Sequence, residues 1–249
     1  HAKRVAERLA NEREVAKSKQ LPFRFLAAYR ELKGVTSIYT SLMLNALEVA
    51  VKVSAANITG FDANTKVLLA CDVSGSMQTF ISPKSKIQNY DIGLILAMLL
   101  QSRSQAVISG FFGDTWKAVN LPGGNILANA EELRRREGEV GYSTNGHLVI
   151  KDLIDKRLVM DKVMFFTDCQ LWNSTGTGET LAKLWREYKQ LAPNAKIYVF
   201  DLAGYGQMPL RVEGKDVFLI ASWSDKVFDI LAAIENGSDA VAEIRNIVL

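Results

Sequence analysis

Cysteine and histidine are rare in this chain, which has only two of each among its 249 residues. Cys71 and Cys169 are too few for a disulfide framework, so a reducing, cytoplasmic setting is expected. Two cysteines cannot form a structural zinc site by themselves, and His1 and His147 are too few to complete one. Neither a disulfide-rich secreted scaffold nor a zinc module is therefore expected.

Long apolar runs are also missing from the sequence. No stretch approaches the roughly 18 consecutive apolar residues that a membrane-spanning helix needs. The first residues lack the pattern of a secretory signal peptide. We therefore expect no membrane partner. Because the chain opens with His1 rather than Met, we also expect it to be a piece of a longer protein.

Positive charge is concentrated near the N-terminus. The whole chain has 30 Lys and Arg against 27 Asp and Glu, which gives a formal net charge of +3. Residues 1–34 carry nine basic and four acidic side chains, whereas the remainder carries 21 and 23. Hydrophobic residues make up 48% of the sequence, enough for the core of one large domain or of one domain with an appendage.

Residues 1–58 are predicted to be helical. The apolar spacing favours helices over 2–20, from Pro22 to Gly34, and over 36–57. The third helix has a broad apolar face that includes Ile38, Leu42 and Leu47, and such a face needs neighbours to cover it. These helices are therefore expected to end a larger helical array. A linker is predicted at 57–64, and we place the domain boundary between residues 60 and 61.

The first predicted helix carries like charges at helical spacing. Arg4 and Arg8 form one such pair, and Arg13 and Lys17 form another. Like charges four residues apart disfavour an isolated helix slightly. They point either to an acidic partner such as RNA phosphate or to an ordinary solvated helix face.

Residues 61–249 change to alternating strands and helices. This alternation, with apolar strands, predicts an α/β fold with a doubly wound, mostly parallel sheet that is covered on both faces. Ligands of such folds bind at the carboxyl ends of the strands, where the strand order reverses. The predicted strands are 67–72, 106–112, 116–119, 162–168, 196–201 and 216–221, and the predicted helices are 90–103, 144–156, 179–191 and 224–234.

The segment Asp72-Val73-Ser74-Gly75-Ser76 follows the first of these strands directly. Its carboxylate and two hydroxyls offer three oxygen ligands from one turn, and hard cations such as Mg²⁺ prefer oxygen ligands. The same residue types also cap ordinary turns. The segment alone therefore permits either a metal site or a structural turn.

Two further residues fit the metal interpretation. The apolar run 163–167 ends in Asp168, which repeats the arrangement around Asp72. Thr144 lies in a glycine-containing loop before a predicted helix, where its hydroxyl could be a helix N-cap or a metal ligand. Asp72 and Asp168 both fall at predicted carboxyl ends of strands.

The order of the candidate ligands along the chain resembles that of the metal-ion-dependent adhesion site of von Willebrand factor A domains. The resemblance extends over about residues 65–235. The resemblance implies that Mg²⁺, or another divalent cation such as Mn²⁺ or Ca²⁺, is held by one carboxylate and three hydroxyls, with a second acid acting through water. It also implies an open coordination position that a carboxylate of a partner protein fills. The matching residues are Asp72, Ser74, Ser76 and Thr144 for direct ligation and Asp168 for the water-mediated contact.

The N-terminal part resembles the Ro autoantigen family through Leu21-Pro22-Phe23-Arg24-Phe25 and the following Tyr29-Arg30-Glu31-Leu32. Members of that family join a TROVE module, a ring of HEAT-like helical repeats, to a von Willebrand A domain. The resemblance implies that residues 1–60 are the last helices of the ring. It also implies a non-catalytic scaffold that binds small non-coding Y RNA and misfolded RNA. The module upstream would make most of the RNA contacts.

Enzymatic alternatives lack the residues that they need. A phosphatase of the haloacid dehalogenase type requires a second Asp where this chain has Ser74. Neither Ser74 nor Ser76 lies in the Gly-x-Ser-x-Gly pattern of a serine hydrolase. A metal-dependent hydrolase requires a base beside the ion, and none is evident. An adhesion or assembly module without an RNA role remains the alternative to the RNA-binding scaffold.

Overall fold

The structure is a computed structural model that describes residues 1–18, 20–54, 64–170, 180–205, 216–221 and 226–235. Four helices come first, and they are α1 (Ala2–Leu9), α2 (Glu12–Ser18), α3 (Pro22–Lys33) and α4 (Thr40–Ser54). Strands and helices then follow in the order β1 (Lys66–Asp72), α5 (Asn89–Gln101), β2 (Ala106–Phe112), β3 (Trp116–Val119), α6 (Ile126–Arg135), α7 (His147–Asp155), β4 (Lys162–Thr167), α8 (Leu181–Leu191), β5 (Lys196–Asp201), β6 (Val217–Ala221) and α9 (Lys226–Glu235).

The single helix predicted over 2–20 is wrong, because the chain breaks between α1 and α2. Asn11 lies at the break, and its side-chain oxygen accepts a hydrogen bond of 3.1 Å from the amide of Glu14. Asn favours such capping positions over helix interiors because its side chain competes for backbone donors. Each predicted like-charge pair therefore lies within a separate short helix.

The next two helices agree better with the sequence. α3 begins at Pro22 and ends before Gly34, as predicted. α4 begins at Thr40, four residues later than predicted, so Ile38 lies outside the helix and is 89% exposed. α4 contacts α1, α2 and α3 through a face that includes the buried Leu47 and Ala50.

Six strands form one sheet in the order β3-β2-β1-β4-β5-β6. All neighbours are parallel except β3, which pairs antiparallel with β2 at the edge. The predicted α/β, doubly wound class is confirmed, and β2, β3 and β5 have the predicted bounds. The strand order reverses between β1 and β4, which places a ligand crevice at their carboxyl ends.

Helices cover both faces of the sheet. On one face of the sheet, side chains of α5, α6 and α9 pack against every second residue of β1 and form one core. On the other face, side chains of α7 and α8 pack against the intervening residues of β1 and form a second core. The helix α6 was not predicted from the sequence. α7 begins at His147, three residues later than predicted. The boundary predicted at 60/61 lies outside the described residues, as do the end of the helix predicted over 36–57 and all of the predicted linker at 57–64 except residue 64. No helix in the described ranges is long and apolar enough to span a membrane.

The N-terminal helices pack directly on the helices of the sheet. α3 contacts α5 and α6, and α4 contacts α6. The carboxylate of Glu48 in α4 accepts hydrogen bonds from the amides of Leu127 and Ala128, at 3.1 and 2.8 Å. Because the first amides of a helix have no partner within the helix, Glu48 caps α6 from a different part of the chain.

Candidate metal centre at the carboxyl edge of the sheet

Asp72 is the last residue of β1 and is only 1% exposed. One of its carboxylate oxygens accepts a hydrogen bond of 2.9 Å from the amide of Ser74. The other accepts a hydrogen bond of 2.6 Å from the Thr167 hydroxyl at the end of β4. The carboxylate is therefore held in a fixed orientation at the crevice.

The two serines of the first loop lie beside each other. Their Oγ atoms are 3.3 Å apart. Ser74 is buried, whereas Ser76 lies in a 3-10 turn over Gly75–Gln78 and is partly exposed. Met77 in the same turn is fully buried and anchors the loop to the core. Ligands that are adjacent in an octahedral Mg²⁺ shell lie about 3 Å apart, so the spacing of the two hydroxyls suits one shared ion.

Asp168 follows β4 immediately and is also 1% exposed. Its Oδ1 accepts a hydrogen bond of 3.1 Å from the amide of Gln170. Its Oδ2 is buried and has no hydrogen-bond partner among the described residues. Buried polar atoms are nearly always paired, so this oxygen marks a position where a cation or an ordered water belongs.

Thr144 reaches the same edge through its loop and is buried there. The carbonyl of Tyr142 accepts a hydrogen bond of 3.1 Å from the amide of Gly75, which joins this loop to the serine loop. The prediction that Thr144 starts a helix is wrong, because Gly146 is the N-cap of α7. The N-cap alternative for Thr144 is therefore also wrong, since tertiary contacts rather than helix geometry fix its loop.

The turn after β2 supports the Thr144 loop, and sequence analysis did not identify it. Asp114 accepts a hydrogen bond of 2.9 Å from the amide of Ser143, and the Gly113 carbonyl accepts one of 3.0 Å from the amide of Asn145. Gly141 has φ 74° and ψ −171°, a conformation that essentially only glycine adopts. A Cβ at Gly141 would also lie 2.1 Å from a carboxylate oxygen of Asp114. The close approach of the two loops therefore requires glycine.

Uncompensated negative charge dominates the centre. Burial raises the pKa of Asp72 to about 7, and the charge of Asp168 adds to the increase, whereas hydrogen bonds from Ser74 and Thr167 oppose it. Neither carboxylate forms a salt bridge with a Lys or Arg within the described part of the chain. Buried charges are costly unless they are paired or bind a metal. The electrostatics of this edge therefore favour a bound cation.

A third acid lies nearby at the end of the next strand. Asp201 ends β5, is buried, and accepts a hydrogen bond of 2.8 Å from the amide of Gly204. Burial and the charges of Asp201, Asp168 and Asp72 together raise the pKa of the Cys169 thiol to about 12. Asp201 was not among the residues predicted for this site, although its strand also ends in Asp. Thr167, which directly precedes Asp168, was not predicted either.

The donor set fits a hard divalent cation. Asp72, Ser74, Ser76 and Thr144 would supply carboxylate and hydroxyl oxygens, and Asp168 would contribute through water, as the resemblance implies. No group of three or more His, Cys, Asp or Glu side chains is arranged to hold a metal among the described residues. The predicted set includes only two such residues and depends otherwise on hydroxyls, so its occupancy by metal remains a prediction.

The four predicted RNA-binding residues lie elsewhere. Arg4 and Arg8 are on α1, Arg13 and Lys17 are on α2, and all four are exposed. Arg8 forms a solvent-exposed ion pair of 3.4 Å with Glu14. Both helices contact α4, which links them to the rest of the helical segment.

The strand order and the helices on both faces of the sheet define a doubly wound α/β domain with a von Willebrand A-like fold, and further helices pack against it. The whole arrangement is similar to the crystal structure of the Ro (RSR) protein of Deinococcus radiodurans, with a TM-score of 0.67 and 20% sequence identity. The match covers 94% of this chain and 47% of that protein, so this chain spans about half its length. The structural resemblance predicted from the sequence is confirmed at the level of the fold. No protein-family model and no curated protein matches the sequence.

We predict that Gly141→Ala lowers the free energy of unfolding by roughly 1–3 kcal/mol. Alanine would have to adopt a backbone conformation that essentially only glycine adopts, and its Cβ would displace the side chain of Asp114. Urea unfolding would measure the change. Gly75→Ala is the matched control, since a Cβ at Gly75 meets no atom within 4 Å. Equal stability of the Gly141→Ala variant and the parent would contradict the proposed loop contact.

A second prediction concerns pH in metal-free protein. The pKa of Asp72 is raised from 3.8 to about 7, so between these values the folded state binds a proton more tightly than the unfolded state. The contribution of Asp72 to stability is therefore complete at low pH and is lost as the pH rises through about 7, with a slope of up to about 1.4 kcal/mol per pH unit.

Urea unfolding between pH 5 and 8, with chelator present, would test this contribution. Asp72→Asn does not titrate, so its stability should fall less steeply with pH than that of the parent. Asp155→Asn, at an exposed position, is the control and should follow the parent. Parallel curves for the parent and Asp72→Asn would rule out a raised pKa at Asp72.

Proposed function

We propose that this chain is part of a non-catalytic, RNA-binding scaffold of the Ro type, whose A domain holds a divalent cation and recruits a partner protein. The observation that carries the proposal is the buried acidic pair, Asp72 and Asp168, beside serine hydroxyls at the crevice of this fold. The fold similarity to the Ro (RSR) protein extends over the helices as well as the sheet, because it covers 94% of the chain.

Mg²⁺ is the cation that suits this site best. The ligands are all oxygen atoms, and the second acid acts at a distance, so several coordination positions remain for water or a partner. A bound ion would also relieve the repulsion between the two buried carboxylates. Mn²⁺ and Ca²⁺ share the preference for oxygen ligands and could occupy the same set.

Exposed aromatic side chains beside the crevice support recruitment of a protein. Tyr142 is 50% exposed and lies in the loop that carries Thr144. Phe80 is 55% exposed and follows the turn that carries Ser76. Aromatic residues are enriched in protein interfaces. In the proposed complex, a carboxylate of the partner completes the shell of the ion while neighbouring groups contact these two rings.

The helical segment supports the part of the proposal that concerns an RNA-binding scaffold. A groove of about 400 Å³ runs between α1 and α4 and is lined mainly by apolar groups of residues that include Ala6, Leu42 and Val49. We propose that a further helical repeat of a TROVE-like module covers this groove, which makes residues 1–60 the last helices of that module. The exposed basic residues of α1 and α2 would then contribute to its phosphate-binding surface.

The site is proposed to be non-catalytic because Asp72, whose pKa is raised toward neutrality in the metal-free protein, would be a ligand of the cation and so would not be available for proton transfer. The thiol of Cys169, whose pKa is about 12, is protonated at neutral pH and is a poor nucleophile. An adhesion or assembly module without an RNA role would use the same crevice. The two functions differ in whether the helical segment binds RNA.

We predict that Mg²⁺ binds saturably to the chain and that Asp72→Ala abolishes binding while the fold stays intact. Asp72 lies at the rim of the sheet, and its removal takes away the central carboxylate of the donor set. Isothermal titration calorimetry would measure binding, and circular dichroism would check the fold. Asp155→Ala removes an exposed carboxylate and should bind like the parent. Equal affinity in the Asp72→Ala variant would refute the site.

We also predict weak, salt-sensitive and sequence-indifferent RNA binding. Changing Arg4, Arg8, Arg13 and Lys17 to Gln should weaken binding and reduce the slope of log K against log salt by roughly one unit for each lost phosphate contact. Fluorescence anisotropy with a labelled single-stranded RNA would measure both quantities.

A matched control changes four exposed basic residues of the A domain to Gln, namely Lys84, Lys86, Arg135 and Lys156. It removes the same charge and should affect RNA binding less. An equal loss in both variants would contradict a specific role for α1 and α2. An absence of RNA binding at any salt concentration would favour the adhesion module.

A further inference from the structure

Arg30 in α3 forms a buried ion-pair cluster with two helices of the A domain. Its Nη1 and Nη2 donate to the two carboxylate oxygens of Asp91 in α5, at 2.9 and 2.6 Å. Its Nε donates to Glu131 in α6 at 2.6 Å. The side chain of Arg30 is 14% exposed and that of Asp91 is fully buried. A two-point contact between Arg and a carboxylate fixes orientation as well as distance.

Asp91 also holds the start of α5. It is the third residue of that helix, and its Oδ2 accepts a hydrogen bond of 2.9 Å from the amide of Gln88, the N-cap. The Gln88 side chain in turn satisfies a backbone amide in the first turn, so the two residues form a capping box. One carboxylate therefore binds Arg30 and closes the first turn of α5.

The start of α5 is bonded to the loop that carries the candidate metal ligands. The side-chain nitrogen of Gln88 donates to the carbonyl of Gln78 at 2.6 Å, and the amide of Asn89 donates to the carbonyl of Thr79 at 3.0 Å. Gln78 ends the 3-10 turn that contains Ser76. A continuous series of hydrogen bonds and short chain segments thus links Arg30 to the serine hydroxyls.

We infer that Arg30 is a positioning residue for the cation site. Its contact with Asp91 fixes the start of α5 and, through Gln88, the loop that carries Ser74 and Ser76. A movement of α3 that withdraws Arg30 therefore weakens cation binding at the sheet edge. The part of this inference that concerns the cation rests on the proposed function, whereas the positioning of the loop can be tested without metal.

The physical reason lies in the burial of Asp91. Without Arg30, its carboxylate is a buried charge with no cationic partner, and it must gain water to remain ionised. The first turn of α5 has to open for that water, and the bonds from Gln88 and Asn89 to the loop are then disturbed. The neighbouring pair between Glu31 and Lys86 cannot act in this way, because both side chains are mostly exposed and their interaction is screened.

Thermodynamic linkage requires the effect to be reciprocal. If Arg30 favours the loop conformation that binds the cation, then a bound cation strengthens the hold of the A domain on α3 by the same factor. The ion at the sheet edge and the packing of the helical segment are therefore coupled. A partner that engages the cation would stabilise the attachment of the helices as well.

Hydrogen exchange and calorimetry together test the inference. Arg30→Met keeps the aliphatic stem but removes the guanidinium. We expect faster amide exchange across residues 75–91 of the metal-free protein and a Mg²⁺ affinity lower by roughly threefold to thirtyfold. Asp91→Asn should also speed exchange there, for a different reason, because it breaks the two-point contact with Arg30 and weakens the bond to the Gln88 amide. If Arg30→Met does not fold, Arg30→Lys serves instead, since Lys keeps the charge but not the two-point contact.

Two controls separate positioning from general loosening of the helices. Glu131→Gln removes the other partner of Arg30, and Glu31→Gln removes the exposed pair from the same helix. Neither should change exchange across 75–91 or Mg²⁺ affinity. A purely structural role for Arg30 predicts that Glu131→Gln disturbs the loop as much as Arg30→Met does.

The possible outcomes are distinct. Equal exchange across 75–91 in the parent and the Arg30 and Asp91 variants would overturn the inference whether or not metal binds. Faster exchange with unchanged Mg²⁺ affinity would overturn the link to the cation site. If the parent itself does not bind Mg²⁺, the metal part of the proposed function fails, and hydrogen exchange alone decides whether Arg30 positions the loop.

Discussion

The parallel pairing of β1 with β4 is the constraint on which the candidate site depends. It aligns Cys71 with Phe166, so that Asp72 and Asp168 leave the sheet next to each other. Because β2 lies beyond β1 and β5 lies beyond β4, the chain connections leave this pair in opposite directions and open a crevice between them. The loop with Ser74 and Ser76 leaves β1 at this edge, and the hydrogen bond from the Gly75 amide to the Tyr142 carbonyl joins the Thr144 loop to it.

Bringing two carboxylates together out of water has an energetic cost. Burial and mutual repulsion raise the pKa of Asp72, and the hydrogen bonds from Ser74 and Thr167 offset only part of that effect. A structure usually keeps such a cluster where function requires it, because a purely structural role would be served by neutral groups. The proposed cation explains the cluster, since its charge would compensate both acids.

The helical segment and the α/β domain are joined by polar contacts. Glu48 caps α6, and Arg30 links α3 to both α5 and α6. Each contact pairs a polar group that would otherwise lack a hydrogen-bond partner. Because hydrogen bonds are directional, these contacts fix the orientation of the helices, which apolar packing alone would not do. The helices are thus bonded to the start of α5, which is itself bonded to the loop at the sheet edge.

The sequence by itself determined the fold class, the bounds of β2, β3 and β5, and the position of Asp72 and Asp168 at strand ends, because apolar periodicity and strand-end residues are local signals. It could not determine the position of Thr144, which depends on bonds from the β2 turn to a loop about 30 residues away. Nor could it reveal the roles of Arg30 and Asp91, which are 61 residues apart and meet only after α3 packs on α5. Tertiary structure decided these features, since hydrogen bonds between distant segments leave no periodic trace in the chain.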